Sequence, residues 1–406
     1  MTLTPKISTH NFHAFLWHAG FLALAQNFMD VDTIIPAMII ESGGGAVHIG
    51  IMTAIMLGGA SFSQLLFAPY VSNRPFKKKF LLLGINTRIL SLFALGVILF
   101  YLRSNFSGNI LWFIFLFIST FSFAGAFTNI SYTDILGKSV DETKRKTFFS
   151  VKQLVAGSVV LISAFLAKKA LTSFAYPVNF AAMFFIGGSL LLIASGGFWK
   201  IRETEPSALK ISGIKTFFRL LRSELSLNPR LAYFLGFINT QGLMISFLPF
   251  VMLYAKDTVN TQSSDTGNFL IFKVIGVVSV SLLVFLTSKK IKYNSILYLN
   301  AILSILLIIN TMLIKSDVSL KYIFIAGGII FSLYTISMNG VLLEISNKEK
   351  RAVYTGFAGA GNILPALFPL VGGLAIEKFG YQAFFLLLLA IVSMSLFFIR
   401  KTRCKK

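Results

Sequence analysis

Residues 383–399 read AFFLLLLAIVSMSLFFI, seventeen positions without one charged side chain. From Phe384 to Val392 no polar residue interrupts the run, so it lacks the alternation that a membrane-barrel strand of about ten residues must show. A helix satisfies its own backbone in lipid and needs roughly 20 mainly apolar residues to cross. Outward from this stretch, apolar runs bounded by charge clusters give twelve such helices. The first six cover about 12–40, 47–72, 80–102, 110–136, 148–171 and 178–199. The second six cover about 231–253, 267–288, 295–314, 322–345, 353–376 and 383–399. The 406-residue chain is 55% hydrophobic and 13% charged, with mean hydropathy +0.78, and no sizeable soluble domain fits between the spans. Its 43 Phe residues enlarge the apolar surface without adding a polar group that lipid would leave unpaired.

The charge balance is basic, with 37 Lys and Arg against 15 Asp and Glu. Position along the chain explains it. The N-terminus, the second, fourth, sixth, eighth and tenth connections and the tail hold 27 of the basic residues, whereas the alternate connections hold 7. Arg88, Lys152 and Lys273 fall inside spans. An excess of basic residues marks the cytoplasmic side, so both termini are expected there, in an integral protein of the plasma (inner) membrane surrounded by lipid. With the charge so explained, nucleic acid is not an expected partner. Cys404 is the only cysteine and excludes an intrachain disulfide. The first apolar stretch outruns a signal peptide and has no convincing cleavage site, so a cleavable leader is not expected.

The longest polar connection, 201–228, separates a bundle of six spans in 1–200 from a second in 229–406. The halves repeat. Asp134–Gly157 carries an acid, a basic cluster (Lys144, Arg145, Lys146) and then a span, and Glu344–Gly361 does the same with Lys350 and Arg351. Both halves have the same polarity, so the repeat is parallel, with its axis along the membrane normal.

Twelve spans, a 6+6 division, a long basic central loop and basic turns after the second, fourth, eighth and tenth spans resemble the major facilitator superfamily over nearly the whole chain. The superfamily's loop of the form G-x-x-x-D-R-x-G-R-R appears here as Ala68, Ser72, Arg74 and Lys77–Lys79, without its acidic member. Pro365, Pro369, Gly372, Gly373 and Gly380 look like a superfamily helix with close backbone packing. The resemblance implies an all-α membrane fold of two pseudo-symmetric six-helix bundles. It further implies that the first, fourth, seventh, eighth and tenth spans contribute to a central pathway.

Ionisable groups within spans cost roughly 2.5 to 3.5 kcal/mol each and are seldom kept without a role. On one continuous first helix Gln26, Asn27, Asp30 and Thr33 share a face. Asp32 would then point about 200° away from Asp30, so one of the two is expected to border the pathway and carry a coupling proton. Asp30, with its polar companions, is preferred. Lys273 lies at a similar depth in the eighth span, where it would form a breakable pair with Asp30 or receive an anionic group of the substrate. Arg88 is expected to find a structural partner in its own half, and Lys152 to reach toward lipid headgroups.

Asn129 with Ser122, Asn239 with Ser246, and Asn339 with Ser332 and Thr335 are candidate solute-binding stripes, with Gln241 as an alternative. Asp134 with Arg145 and Glu344 with Arg351 are candidate cytoplasmic gate pairs. Trp17, Trp112 and Trp199 read as interfacial anchors. The four histidines lack carboxylates at ligand spacing and no phosphate-cradling Gly-Lys-Ser/Thr sequence occurs, so no enzyme, metal or other cofactor is expected. Work must then come from a gradient. The expectation is a monomeric, proton-coupled secondary transporter, a symporter of a small polar organic solute such as a sugar or organic acid. The alternative is a proton-coupled exporter of multiple amphipathic compounds, and a non-transporting receptor would leave the intramembrane charges unexplained.

Overall fold

The computed structural model describes residues 3–101, 110–206, 214–287, 291–314, 316–345, 358–359 and 361–402, and no strand occurs among them. The helices are α1 (Pro5–Gln26), α2 (Ile34–Glu41), α3 (Ala46–Ser72), α4 (Lys78–Tyr101), α5 (Ile110–Ser139), α6 (Glu142–Thr172) and α7 (Val178–Lys200). They continue as α8 (Ile214–Leu227), α9 (Pro229–Gln241), α10 (Phe247–Val259), α11 (Ser263–Thr287), α12 (Tyr293–Leu313), α13 (Asp317–Ile345), α14 (Ile363–Ser393) and α15 (Ser395–Thr402). Their starts are written locally. Thr4 accepts from the Ile7 N–H ahead of Pro5, Asp141 accepts from the Thr143 N–H at 2.9 Å, and α9 opens on Pro229, where a missing N–H costs nothing.

Two compact units form. One comprises Met1–Asp30 with Gly59–Phe217, the other Val31–Gly58 with Phe218–Lys406. In the first unit α4 packs on α5 and α7, while α1 packs on α7 and α6. In the second, α11 lies along α13, α12 along α13 and α14, and α9 along α15. The second unit also holds the far end of the first span and the start of the second, which the sequence assigns to residues 1–200. Ala46 there lies against Gly373, and Glu41 faces Lys256 at 4.0 Å.

Three elements differ from the sequence expectation. The first span is not one helix. It stops at Gln26, makes a 3-10 turn over Asn27–Met29, runs non-helically to Thr33 and resumes as α2. The seventh span breaks in the same way, at a 3-10 turn over Gly242–Ser246 between α9 and α10. Pro36 and Pro249 are each the third residue of the resumed helix. A proline has no N–H to donate and is tolerated only in a first turn, which favours a fresh start just ahead of it. The central connection, finally, contains α8, whose Lys215, Arg219 and Arg222 share one face.

Eleven segments of the described residues are long and apolar enough to cross a membrane, and the last, Ile363–Thr402, has 40 residues. Gly380, within α14, has φ 80° and ψ 175°. Beyond it the Phe384 ring lies 6.0 Å from that of Phe368. Sixteen residues of unbroken helix would put those rings about 24 Å apart. The chain therefore doubles back at Gly380, and this segment supplies two crossings.

Candidate functional site

Asp32 and Lys273 form an enclosed ion pair within the second unit, Oδ2 to Nζ 2.5 Å, with side chains 10% and 9% exposed. The broken first span creates it. Residues 30–33 leave the helix, so Asp32 is not held 200° from its neighbour's face and turns to α11 instead. Lys273 is placed by a close crossing of α11 with α13. A Cβ on Gly328 would fall on the Lys273 carbonyl and stand 3.1 Å from the Val277 nitrogen, so glycine alone permits this approach. The Lys273 ammonium also lies 5.8 Å from the Phe331 ring centroid. Lys273 thus meets Asp32, the aspartate that was not preferred. Asp30 sits in the first unit with extended backbone, φ −64° and ψ 126°, partly buried.

The neutral candidates divide by contact. Asn27 donates to the Val160 carbonyl at 2.7 Å and ties the turn after α1 to α6. Asn239 donates to the Gly361 carbonyl at 2.6 Å and accepts from the Leu364 N–H at 2.9 Å, stitching α9 to the start of α14. Gln241 is fully buried. It donates to Asn300 at 3.3 Å and Ser304 at 2.7 Å and accepts from Ser395 at 3.2 Å. Gln26, Asn129 and Asn339 are exposed, and the Asn339 amide donates to the Thr335 carbonyl at 2.9 Å.

At the basic ends of the helices Asp134 and Glu344 have ion partners beyond those the spacing indicated. Asp134 meets Lys77 at 2.6 Å and Lys138 at 3.0 Å, and Lys138 reaches Glu203 at 2.7 Å. Glu203 also accepts from the Lys77 and Lys78 N–H groups at 2.8 Å, closing the start of α4 with a carboxylate, as the helix dipole favours. The acid missing from the loop between the second and third spans is thereby supplied from beyond the sixth. Arg145 donates to the Val140 carbonyl at 3.0 Å and to Gly137. Glu344 pairs with Arg230 at 2.8 Å. Arg351 lies outside the described residues. Glu203 and Arg230 were unmarked in the sequence because their partners are distant along the chain.

Arg88 meets a ring of its own half. Its guanidinium stands over Phe121, 4.1 Å from the centroid, and its Nε is buried without a hydrogen-bond partner. Lys152, partly buried, faces the Tyr132 ring at 5.6 Å. Among the described residues no group of three His, Cys, Asp or Glu side chains stands close enough to hold a metal ion.

These features define a polytopic helical membrane protein with interrupted first spans in both halves and ionic groups inside its bundles. The chain belongs to the major facilitator superfamily, whose sequence profile matches residues 16–362, and membership makes it a membrane transporter of solutes. Similar solved folds agree. A mutant of the nucleoside transporter NupG aligns with TM-score 0.70 at 16% identity, over 97% of this chain and 100% of that one. A POT family transporter in complex with a thioalcohol-conjugated peptide gives 0.69 at 12% identity, over 97% and 96%. A bacterial homologue of the human lysosomal transporter Spinster gives 0.61 at 12%, over 98% and 94%. No curated protein matches the chain by sequence.

Proposed function

We propose that this protein is a proton-coupled secondary transporter that moves a small polar organic solute by alternating access, and that Asp32 and Lys273 form a bond made and broken in each cycle. The observation that carries this reading is the 2.5 Å pair itself, which ties the far end of the first span to the eighth. A buried ion pair is a poor source of net stability, because desolvation offsets its attraction. As a latch it is apt. Protonating Asp32 removes one of the two charges and releases the span, whereas deprotonation restores the attraction. A proton crossing 100 mV supplies about 2.3 kcal/mol, close to a fifty-fold solute ratio. Asp30, two residues earlier, is the second candidate carrier.

The exposed amides Gln26, Asn129 and Asn339 are proposed to hydrogen-bond the solute, while Asn27, Asn239 and Gln241 hold the helices that present them. Asp134 with Arg145 and Glu344 with Arg351 are kept as the basic-side gate, with Lys77, Lys138, Glu203 and Arg230 added. That side is assigned to the cytoplasm and the active form to a monomer in the plasma membrane. One of the similar structures is named a nucleoside transporter and another is a transporter in complex with a thioalcohol-conjugated peptide, and both kinds of molecule are polar and organic.

The test is uptake into proteoliposomes under an imposed pH gradient, screened with sugars, nucleosides, organic acids, amino acids and lipophilic cations. Accumulation of one polar class is expected in the wild type. Asp32→Asn should lose at least tenfold of the gradient-driven accumulation while still exchanging labelled solute at equilibrium. Full accumulation in both Asp32→Asn and Asp30→Asn would remove the proton role.

A further inference from the structure

The turn between α3 and α4 borders an open cavity of about 860 Å³ at the basic end of the first unit. That size falls within the roughly 300–1,000 Å³ of small-molecule sites. Two kinds of side chain line it. Tyr70, Phe80 and Leu82 give a largely apolar wall, the Tyr70 and Phe80 rings meeting edge to face at 5.7 Å. Arg74, Lys78 and Lys79 set three cations against one acid, Glu203. That acid is already engaged, by the Lys138 ammonium at 2.7 Å and by the Lys77 and Lys78 N–H groups.

The cations are fixed in place and keep donors for a ligand. Arg74 stands over the Tyr70 ring, 4.8 Å from its centroid, and gives the Tyr70 hydroxyl one of its five N–H bonds, at 3.2 Å. The Lys78 ammonium donates to the Trp199 and Ile201 carbonyls at 2.8 Å, two of its three N–H groups. Lys79 is exposed, and neither it nor Arg74 belongs to the ion pairs that join Lys77, Lys138, Asp134 and Glu203. Along α4 from Lys79 the helix turns an apolar stripe outward. Leu83, Leu90 and Val97 follow at steps of four, seven and seven, which keep to one face, and all three are exposed. On a spanning helix such a face lies against acyl chains. Phe67, one turn before Tyr70 on α3, is exposed as well.

We propose that this cavity binds an anionic glycerophospholipid, its phosphate held by Arg74, Lys78 and Lys79 and its chains laid on the wall of Tyr70, Phe80 and Leu82. The assignment goes beyond the transport reading and depends on neither the solute nor the coupling ion. Three cations facing one acid that is already bonded leave the cavity positive, and basic pockets between spans suit anionic headgroups. The guanidinium offers a planar fork matched to phosphate, and the ammonium groups add point charges. A free phosphate would answer the cations alone. The stripe that starts at Lys79 selects a phosphate carrying chains, because it sets the cations at headgroup level above a face that needs apolar cover.

The experiment is thermal unfolding of the purified full-length protein in a neutral detergent at constant ionic strength. It is titrated with phosphatidylglycerol, with phosphatidylcholine of the same chains, or with glycerol 3-phosphate. Phosphatidylglycerol is expected to raise the melting temperature saturably at low mole fraction, and the other two to leave it unchanged. Arg74→Gln with Lys79→Gln should raise the midpoint of that protection about tenfold or more. Arg219→Gln with Arg222→Gln, the same loss of charge at exposed positions of α8 outside the cavity, should leave the midpoint where it was. If the cavity double variant does not fold, Lys79→Gln alone, at an exposed position, is expected to move the midpoint in the same direction. Native mass spectrometry of the wild type reads the preference independently, as phosphatidylglycerol retained where phosphatidylcholine is lost.

Equal protection by phosphatidylcholine, or equal weakening by the α8 pair, means a general lipid or charge effect and overturns the site. Protection by glycerol 3-phosphate at a similar midpoint makes the cavity a site for a soluble phosphate and overturns the lipid assignment. Protection by none of the probes, or unchanged by the cavity variants, overturns it too.

Discussion

Neutralising one member of the Asp32–Lys273 pair takes away a charge that its enclosed partner bonds at 2.5 Å. Lys273→Gln or Asp32→Asn is therefore expected to destabilise the folded protein by about 3–5 kcal/mol, and the double variant by much less, because it buries two neutral amides side by side. Thermal unfolding in a fixed detergent reads the difference, and losses that simply add would show that the residues act independently. Asp141 gives a second prediction, at acid pH. Its carboxyl is held below its ordinary value by the Thr143 hydroxyl and N–H, which bond to the charged form. With the folded value below the unfolded value of about 3.9, its contribution is full above that pH and is lost as pH falls through the folded value. Asp141→Asn still caps α6, so it is expected to match the wild type at neutral pH and to lose less stability on acidification. Asp32, which a continuous helix would turn away from Asp30, bonds Lys273 at 2.5 Å. A regular 100° step per residue sets Asp30 and Asp32 on different faces, but that step ceases to apply once the chain leaves the helix.

At the scale of elements, two glycines carry the geometry. Gly380 occupies φ 80° and ψ 175°, a region open almost only to glycine, so Gly380→Ala is expected to cost about 1–3 kcal/mol and loosen the reversal between the last two spans. A variant melting with the wild type would mean that another residue shapes the turn. Gly328→Ala drives a methyl into the Lys273 carbonyl and should separate α11 from α13, shifting the lysine that Asp32 must reach. Its expected signature is a fall in gradient-driven uptake larger than that of Gly359→Ala, where a Cβ meets nothing within 4 Å. The number and order of the spans were legible because lipid demands long uncharged runs and the basic turns mark alternate connections. The breaks in the first and seventh spans were signalled only by Pro36 and Pro249, since a 3-10 turn has the same apolar composition as the helix it interrupts.

At the scale of the molecule, the parallel repeat announced two six-span halves, yet residues 31–58 fold with the second unit. Sequence could not show this, because which helices hold a segment depends on pairs such as Glu41 with Lys256, 215 positions apart. Alternating access gives the arrangement a consequence. If opening the side away from the basic turns requires the end of the first span to leave α10 and α11, then tying it there must stop transport. Glu41→Cys with Lys256→Cys, in a Cys404→Ser background, places two thiols on opposing elements, one half-buried and one exposed. A flexible bifunctional thiol reagent containing a cleavable disulfide is expected to abolish uptake in proteoliposomes. Reduction should restore it, and each single cysteine should be inert to the reagent. Full uptake by quantitatively cross-linked protein would show that α2 remains with the second unit throughout the cycle. In that case the Asp32–Lys273 pair would be a fixed strut, and proton coupling would have to be sought at Asp30.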